Sequence, residues 1–411
     1  MSRALCSLPW IHLATHPHGG ATLCCQSEME RGLSAAANGD GRDPMTLNER
    51  SLDELVNSKT FREVRLSMLR GERHPACSPC WEREDAGVGS KRVYDNRRFP
   101  MSLQEARLLT QPDGSITPDV RFLELRLGNT CNIKCVTCNP NSSITFAREY
   151  DEMRMKGGLD FLRDYSWVKP GMSDWTEDES FWTQLGARTP YLREVYINGG
   201  EPMLIRRHVD FLQRLVQDGR AKDVRLSYSI NMTKLVEPLK DIWKEFAHVH
   251  FACSIDAWDQ QNFYIRYPSV WQTVVGNFEK LLTWGYRPHI LQTISALNFH
   301  GLADFYHRWQ QLYPGTVVAY NDVFDPPWFS PHVLALEWRQ EILASFKNRL
   351  PANLIDQLSS MYGAAPQDEA NWAVLKRHLN AFDSMRDTDV RLYFSEFENF
   401  LNTKHDGLRN V

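Results

Sequence analysis

The chain has 411 residues, of which 42% are hydrophobic and 24% charged, and its net charge is −4. This is the composition of an ordinary globular protein of two or three domains without a basic surface, so we expect no nucleic-acid partner. No apolar run approaches the roughly 18 to 20 residues that cross a membrane, and the N-terminus lacks a small-residue cleavage site. We therefore expect a cytoplasmic protein with no membrane partner.

Residues 1–115 form the first predicted domain and contain two of the three groups of cysteines in the chain. In a reducing compartment, clustered cysteines are more often metal ligands than disulfides. The cysteines of this domain are Cys6, Cys24, Cys25, Cys77 and Cys80.

The segments between these cysteines predict how they are brought together. A Gly-Gly turn at residues 19–20 predicts a hairpin, in which His16 and His18 are expected to be solvated. Residues 51–70 have apolar side chains at helical spacing, which predicts one or two amphipathic helices ending at Gly71. These helices would return the later C-x2-C pair toward the first cysteines. A set of four thiolates suits an iron–sulfur cluster or a structural zinc ion, and the residues do not separate the two.

From residue 116 to 327 the sequence alternates between strands and helices, which is typical of a parallel sheet with crossover helices. A helical insertion is predicted at residues 159–189. We therefore predict an α/β fold with a partial (β/α)6 barrel, whose site lies at the C-terminal ends of the strands. The six predicted strands cover residues 120–127, 192–198, 224–231, 249–256, 289–296 and 316–323.

Residues 328–411 predict a helical C-terminal segment, since the alternation of strands and helices stops there. Helices are expected at residues 334–350, 353–361 and 368–385. Residues 390–394 predict a short strand before a final helix. The sequence of this segment indicates no particular chemistry.

The third group of cysteines has the spacing C-x3-C-x2-C and directly follows the first strand of the predicted barrel. Its members are Cys131, Cys135 and Cys138. Thiolates so close in sequence converge around a soft metal centre, either an iron–sulfur cluster or zinc. A structural zinc ion needs a fourth ligand, and the local sequence offers neither another Cys nor a His, so a cluster is favoured. Three protein ligands leave one coordination position open, which indicates chemistry.

This loop and a Gly-Gly-Glu-Pro turn after the second strand resemble the motifs of the radical S-adenosylmethionine (SAM) superfamily. The turn consists of Gly199, Gly200, Glu201 and Pro202. The resemblance implies that the three thiolates hold a [4Fe-4S] cluster, whose fourth iron binds the amino and carboxylate groups of SAM. It also implies a TIM-like radical SAM barrel, in which the turn hydrogen-bonds the amino group of SAM.

Three further residues fall where the superfamily contacts SAM. They are Asn231 at the end of the third strand, Ser254 at the end of the fourth, and Arg266 beyond it. The alternative is that Asn231 and Ser254 are hydrogen-bonding strand ends and that Arg266 is a surface salt-bridge residue. The chain departs from the superfamily at Thr137, where an aromatic residue usually packs near the adenine. No catalytic acid or base can be assigned.

The N-terminal cysteines resemble the auxiliary-cluster modules of the same superfamily, the SPASM and twitch domains. Cys6, Gly19 and Cys24 fit the pattern C-x9–15-G-x4-C, and the later C-x2-C pair is similar to that of twitch-domain radical SAM proteins. Cys25 fits equally well in the neighbouring register. Such modules usually follow the barrel, whereas here the pattern precedes it. The implied ligands of a second [4Fe-4S] cluster are Cys6, Cys24, Cys77 and Cys80.

The resemblance implies an oxidoreductase that cleaves SAM reductively to a 5′-deoxyadenosyl radical, which then abstracts a hydrogen atom from the substrate. The auxiliary cluster would accept an electron, so that the outcome is an oxidation or a new bond. A peptide is the expected substrate, and a small molecule such as a sugar or aminocyclitol is the alternative. Either requires an external electron donor such as flavodoxin or ferredoxin. A non-catalytic iron–sulfur protein with a partner-binding, Trp-rich surface is a third possibility, against which the intact Gly-Gly-Glu-Pro turn argues.

Other polar residues near the strand ends have ordinary structural explanations. Gln292, Tyr320 and Asp325 lie where barrel strands end, and they either face the substrate or line the rim. Cys253 precedes Ser254 and is expected on the opposite face of its strand, buried and inert.

Overall fold

The computed structural model describes residues 4–27, 46–47, 49–87, 89–155, 175–323 and 325–395. The strands in this part of the chain are β1 (His12–Thr15), β2 (Ala21–Thr22), β3 (Phe122–Arg126), β4 (Glu194–Asn198), β5 (Arg225–Ile230), β6 (His248–Ser254), β7 (His289–Ile294) and β8 (Val318–Asp322). The helices are α1 (Leu8–Ile11), α2 (Leu52–Val56), α3 (Lys59–Arg70), α4 (Ser78–Asp85), α5 (Lys91–Arg98), α6 (Leu103–Leu109), α7 (Ile144–Met155), α8 (Glu179–Ala187), α9 (Arg206–Gln217), α10 (Leu239–Trp243), α11 (Gln260–Ile265), α12 (Trp271–Thr283), α13 (Leu302–Leu312), α14 (Leu336–Ser345), α15 (Ala352–Tyr362), α16 (Glu369–Arg386) and α17 (Val390–Tyr393).

The chain divides into two compact units whose segments alternate along the sequence. The first unit comprises Met1–Thr130, Trp167–Ser229 and Val236–His250. The second unit comprises Cys131–Ser166, Ile230–Leu235 and Phe251–Val411. The three consecutive domains that the sequence suggests stay a prediction.

The first unit contains five strands in the order β2-β1-β3-β4-β5. The turn between β1 and β2 forms the predicted antiparallel hairpin, in which the His16 amide donates to the Gly20 carbonyl at 2.8 Å. The other pairs are parallel. The predicted hairpin includes β1, but the sequence does not indicate that β1 also pairs with β3 and aligns His12 with Phe122. Because all four residues of β1 are buried, no alternation of polar and apolar residues marks it as a strand.

Helices α2 and α3 of the first unit confirm the predicted amphipathic segment. A capping box begins α2: the Ser51 hydroxyl accepts from the Glu54 amide, and the Glu54 carboxylate accepts from the Ser51 amide. Helix α3 ends at Gly71, whose φ of +82° is left-handed. The inner face of α3 buries Phe61 and Val64.

The second unit contains residues 251–254 of β6 and the strands β7 and β8, all of which are parallel. Cys253 pairs with Ile290, and Ser254 pairs with Leu291. Successive residues of a strand point to opposite faces, so Cys253 and Ser254 lie on different faces of β6. Cys253 is fully buried, as predicted.

The helices of the second unit share one apolar core. Helix α7 contributes Phe146, whose ring centroid lies 5.8 Å from that of Phe382 on α16. The loop after α14 and helix α15 add Phe346 and Leu358 to the same cluster. The predicted C-terminal helices α14, α15 and α16 are thus confirmed, and they pack with the helix that follows the central cysteines.

The strand predicted at residues 390–394 is wrong, because these residues form helix α17. The Asp389 carboxylate accepts a hydrogen bond from the Arg391 amide at the start of this turn. The Phe394 amide donates to the Val390 carbonyl at 2.9 Å. A capping side chain and a local helical bond therefore outweigh the β-branched and aromatic composition. The predicted final helix and residues 159–174 of the predicted insertion lie outside the described residues.

The predicted α/β class and the mainly parallel strands are confirmed. The six predicted strands are present as β3 to β8, with bounds close to those expected. The partial barrel stays a prediction. Within the described ranges, every helix is too short or too polar to cross a membrane.

Candidate metal centres

The central cysteine loop lies between β3 and α7 in the chain and is fixed by backbone hydrogen bonds. The Val136 amide donates to the Ile265 carbonyl at the end of α11 at 2.8 Å, and the Lys134 amide donates to the Tyr267 carbonyl just beyond it at 2.5 Å. The Ser143 hydroxyl, at the start of α7, donates to the Ile133 carbonyl at 2.8 Å. Because the main chain between the cysteines is held in this way, their side chains occupy defined positions.

The three thiols of this loop form one cluster. Cys131 and Cys135 are buried, and the half-buried Cys138 packs against them. Burial raises the pKa of Cys135 to about 11, against the opposing charge of Arg266. Burial and the charges of Cys135 and Cys131 raise the pKa of Cys138. Such thiols ionise readily only when a metal centre compensates their charge, so the arrangement suits metal ligands.

Arg266 and Asp256 form an ion pair that interacts with these thiols. Arg266 Nη1 lies 2.9 Å from Asp256 Oδ2, and the two side chains are 11% and 1% exposed. Burial disfavours the charged guanidinium, but the negative charges of Cys135 and Asp256 outweigh this effect and raise the pKa of Arg266. Within the described residues, the buried Arg266 Nε has no hydrogen-bond partner. A buried cation with a spare N–H group is suited to bind a carboxylate.

Asn231 follows β5 in the chain and contacts the loop at its first cysteine. Its Nδ2 lies 3.1 Å from Asn132 Oδ1 and 3.9 Å from Cys131 Sγ. Its Oδ1 accepts a hydrogen bond from the Thr233 amide at 2.9 Å. Asn231 therefore orients the loop that carries the thiols.

The Gly-Gly-Glu-Pro turn follows β4 and lies against the residue that precedes the first cysteine, Thr130. The φ angles of Gly199 and Gly200 are +80° and +40°. A Cβ atom on Gly200 would lie 2.4 Å from the Thr130 carbonyl oxygen, which accepts a hydrogen bond from the Glu201 amide at 2.8 Å. Only glycine fits this turn, because of both its conformation and its closeness to the backbone. Pro202 begins a short 3₁₀ turn that the buried Glu201 carboxylate caps.

The remaining candidate site residues lie near the strand ends of the second unit, on two different faces of its strands. Ser254 ends β6 and is half-buried. Gln292 lies on the other face, that of Cys253, and is fully buried. Tyr320 pairs with Gln292 and shares its face, whereas Asp325 is exposed beyond β8. Gln292 and Tyr320 therefore do not lie on the face of Ser254.

Four N-terminal cysteines lie in the first unit and interact electrostatically: Cys6, Cys24, Cys77 and Cys80. Burial raises the pKa of Cys6, and the charges of Cys77 and Cys80 add to the shift. Burial also raises the pKa of Cys24, with added effects from Cys25 and Cys6. The pKa of Cys77 is raised by burial and then by Cys24 and Cys80. These mutual effects place the four predicted ligands near one another.

Cys25 has different neighbours from Cys24. Burial raises its pKa to about 11, and the charge of Glu124 on β3 contributes to the shift. The Cys25 thiol also hydrogen-bonds with the Glu124 carboxylate, which is buried. Lys91 on α5 lies near both groups. This geometry favours Cys24 as the ligand, because Cys25 is engaged by the sheet.

Among the described residues, neither set of cysteines converges tightly enough to hold a single metal ion. One zinc ion binds thiolates at about 2.3 Å, so its ligands lie within about 4 Å of one another. In the part of the chain that the structure describes, no group of three or more His, Cys, Asp or Glu side chains converges to hold a single ion. The thiolates of a four-iron cluster lie farther apart, because each binds a different iron.

A buried ion pair that the sequence does not indicate holds the central loop in place. Arg386 on α16 donates to Glu149 on α7, with Nη2 2.7 Å and Nε 3.0 Å from its carboxylate oxygens. The same Nη2 lies 3.0 Å from the Lys134 carbonyl oxygen, and Lys134 Nζ lies 3.1 Å from Glu149 Oε1. Because Glu149 and Arg386 are 237 residues apart, no local pattern indicates this contact.

The hairpin histidines are half-buried, so the prediction that they are solvated is wrong. The rings of His16 and His18 stack with centroids 5.6 Å apart, and burial lowers the pKa of His18 to about 4. Trp175 covers this turn, and its Nε1 donates to the Pro17 carbonyl at 3.0 Å. The covering residue lies far away in sequence, which is why composition alone suggests an exposed turn.

Comparisons with known proteins give structural similarities at low sequence identity. No protein-family model matches the chain, and no curated protein matches it either. Native anSMEcpe with bound AdoMet is similar at 14% identity and a TM-score of 0.39, over 58% of this chain and 62% of that one. Streptococcus suis SuiB bound to S-adenosylmethionine is similar at 12% identity and a TM-score of 0.33, over 71% of this chain and 63% of that one.

A third similar structure is that of TYW1 with a lysine-pyruvate adduct bound. Its identity is 14% and its TM-score 0.31, over 58% of this chain and 73% of that one. The chain spans about three fifths of the length of the first matched structure. Two of these three proteins were solved with S-adenosylmethionine bound.

Proposed function

We propose that this chain is a radical SAM oxidoreductase in which Cys131, Cys135 and Cys138 hold a [4Fe-4S] cluster. The observation that carries the proposal is the convergence of three buried or half-buried thiols beside Arg266, whose Nε is unpartnered within the described residues. When bound and reduced, such a cluster supplies the electron that cleaves SAM to methionine and a 5′-deoxyadenosyl radical. The residues of the chain bind and orient SAM and exclude water.

The residues around the loop have distinct roles in this proposal. Arg266 binds the SAM carboxylate through its spare N–H, while Asp256 keeps the guanidinium in place. The turn at Gly199 and Gly200 presents backbone groups to the SAM amino group. Ser254 contacts SAM from its strand end. Asn231 and the turn's Glu201 and Pro202 complete the set of SAM-binding residues proposed from the sequence.

The second site is proposed to hold an auxiliary [4Fe-4S] cluster that accepts an electron from the substrate radical. Its ligands are Cys6, Cys24, Cys77 and Cys80, whose mutual effects on pKa support a shared site. With all four positions filled by protein, this cluster suits electron transfer rather than substrate binding. The product is then an oxidised or newly bonded substrate.

A peptide is the proposed substrate, because auxiliary-cluster members of the superfamily often modify peptides. Flavodoxin or ferredoxin is proposed as the electron donor. Residues 1–115 are proposed as the auxiliary-cluster domain, residues 116–327 as the partial barrel and residues 328–411 as a helical segment that packs on it.

Cluster content and SAM binding test this proposal. The anaerobically reconstituted protein is expected to give a reduced cluster signal in electron paramagnetic resonance that changes when SAM is added. Cys135→Ala should lose that response and about half of the iron, because one of two four-iron clusters is lost. Cys253→Ala is the matched control, since this buried cysteine lies outside both sets. Iron content equal to that of the wild type in Cys135→Ala would contradict the assignment.

A further inference from the structure

The second unit contains a cavity of about 370 Å³ that the proposed function does not use. It is lined by the loop after β6, by Gln292 of β7 and by residues at the start and along one side of α13. The volume falls at the lower end of the range of about 300 to 1,000 Å³ for small-ligand sites. The cavity therefore has room for a ligand of amino-acid size.

The strand register places Gln292 of this cavity on the face opposite Ser254, and Asp256 is the lining residue that also holds Arg266 of the proposed SAM site. Ser254 pairs with Leu291, and Cys253 pairs with Ile290. Gln292 is two residues beyond Ile290, so it shares the face of Cys253 and not that of Ser254. This part of the cavity thus lies on the other side of these strands from the residue proposed to contact SAM.

Gln292 brings an unsatisfied acceptor to the cavity. It is fully buried, and its Nε2 lies 2.8 Å from the Asp256 carbonyl oxygen. A carbonyl oxygen only accepts hydrogen bonds, so this contact fixes which end of the amide is nitrogen. In the described part of the chain, the buried Oε1 has no hydrogen-bond partner. Leaving a buried acceptor unpaired is unfavourable, and a donor from a ligand would satisfy it.

Two opposite charges also line the cavity. Asp259 and Arg308 are the lining residues in question. Neither side chain has an ion-pair partner among the described residues. The other two lining carboxylates already have partners: Asp256 lies 2.9 Å from Arg266, and Asp304 pairs with Arg349. The cavity therefore presents one uncompensated negative group and one uncompensated positive group.

The lining also contains aromatic rings, and one backbone position is strained. The Arg308 guanidinium lies 5.5 Å from the centroid of the Trp258 ring, and Phe305 is buried in the wall. A guanidinium stacked on an indole keeps its N–H groups available in the plane for a carboxylate. Asp259 has φ +48° and ψ −118°, a conformation that non-glycine residues rarely adopt and that recurs at ligand sites.

We propose that this cavity binds a free α-amino acid with an apolar side chain, in its zwitterionic form. The carboxylate of the ligand pairs with Arg308, and its ammonium group donates to Asp259 and to Gln292 Oε1. The side chain packs against Trp258 and Phe305. This site goes beyond the proposed function and does not depend on it, because no metal or SAM takes part in the binding.

Isothermal titration of the full-length protein with three matched probes tests the proposal. L-Leucine carries both charges, N-acetyl-L-leucine lacks the ammonium group, and L-leucinamide lacks the carboxylate. L-Leucine is expected to bind, and each of the other two at least about tenfold more weakly. SAM should leave the affinity for L-leucine unchanged. Equal binding of the three probes, competition by SAM, or no binding of L-leucine up to about 10 mM would overturn the proposal.

Substitutions of the charged lining residues test whether these residues bind the ligand. Asp259→Asn and Arg308→Gln should each weaken L-leucine binding about tenfold, because each removes one charged partner. Asparagine has the same size and shape as aspartate, so the first variant removes the charge without changing the bulk of the side chain. Asp304→Asn is the matched control, since this carboxylate lines the same cavity but already pairs with Arg349. The assignment fails if the control weakens binding as much as the two variants do.

Discussion

Arg266 interacts with both the buried carboxylate and the thiols of the central site. Its guanidinium pairs with Asp256 through Nη1 and interacts with the thiol of Cys135, yet its Nε has no partner in the described residues. The same side chain therefore serves as a salt-bridge partner and as a donor to a ligand. The sequence offered these two roles as alternatives, and the geometry accommodates both.

Arg266→Lys separates these two roles. Lysine keeps a positive charge for Asp256 but cannot direct a second N–H group as the planar guanidinium does. We expect the dissociation constant of SAM to rise about tenfold while the iron content stays that of the wild type. Equilibrium dialysis with radiolabelled SAM measures the first quantity, and iron analysis the second. An unchanged SAM affinity would show that the spare N–H has no part in binding.

Substitutions of Cys24 and Cys25 test the choice between these neighbours. Cys24→Ser should lose the auxiliary cluster, because its thiol interacts with that of Cys6. Cys25→Ser should keep the cluster, since its thiol hydrogen-bonds with Glu124 and serine retains a hydrogen-bonding group. Iron and sulfide per chain, measured after anaerobic reconstitution, distinguish the two variants. The reverse result would assign the ligand to Cys25.

At the scale of elements, the Gly-Gly-Glu-Pro turn is defined by its contact with Thr130. Both glycines have positive φ angles, and the backbone of residue 130 leaves no space for a side chain at Gly200. The turn is therefore a steric requirement of the fold as well as a candidate SAM contact.

Gly200→Ala is expected to destabilise the protein by about 2 kcal/mol or more, because of the strained φ and the close backbone oxygen. Gly276→Ala is the matched control. Gly276 lies inside α12 with open space around it, so alanine should stabilise the helix by about 0.5 to 1 kcal/mol. Urea unfolding of the apo-protein measures both. Equal stability of the two variants would contradict the steric account.

The pair of Arg386 and Glu149 ties two helices to the central loop. Their side chains are 2% and 3% exposed, so removal of one partner leaves a buried charge. Arg386→Met should cost about 3 kcal/mol of unfolding free energy and lower the iron retained in the central cluster. Arg391→Met, which removes an exposed pair with Asp389, should change stability by less than about 1 kcal/mol. If the Arg386 variant lost no more stability than this control, the buried pair of Arg386 and Glu149 would not stabilise the protein as described.

Local signals in the sequence predicted most elements, and long-range contacts account for what they missed. Glycine positions, capping residues and apolar spacing located α2, α3 and the six strands β3 to β8. The hairpin turn indicated β1, but the pairing of β1 with β3 joins distant parts of the chain and was missed. Residues 390–394 were misassigned because the cap at Asp389 outweighs their composition. The contacts of Arg386 and Trp175 join distant parts of the chain, and a single sequence does not reveal such pairs.

The site was predicted to a similar extent, for the same reasons. The spacing of Cys131, Cys135 and Cys138 indicated that they lie together, and they pack in one cluster, whereas the choice of Cys24 over Cys25 stays a prediction. The role of Glu149 in holding Lys134 was not foreseen, because the residues meet only in the folded chain. Gln292 was placed among possible substrate contacts, whereas its strand register puts it on the opposite face from Ser254.

At the scale of the whole molecule, the chain is proposed to cleave SAM with an electron from a cluster held by Cys131, Cys135 and Cys138. The measurement that tests this proposal most directly is the amount of 5′-deoxyadenosine formed under anaerobic conditions with SAM and dithionite. We expect the reconstituted protein to release 5′-deoxyadenosine and the triple alanine variant at these cysteines to release none. Absence of 5′-deoxyadenosine from wild-type protein with intact clusters would contradict it.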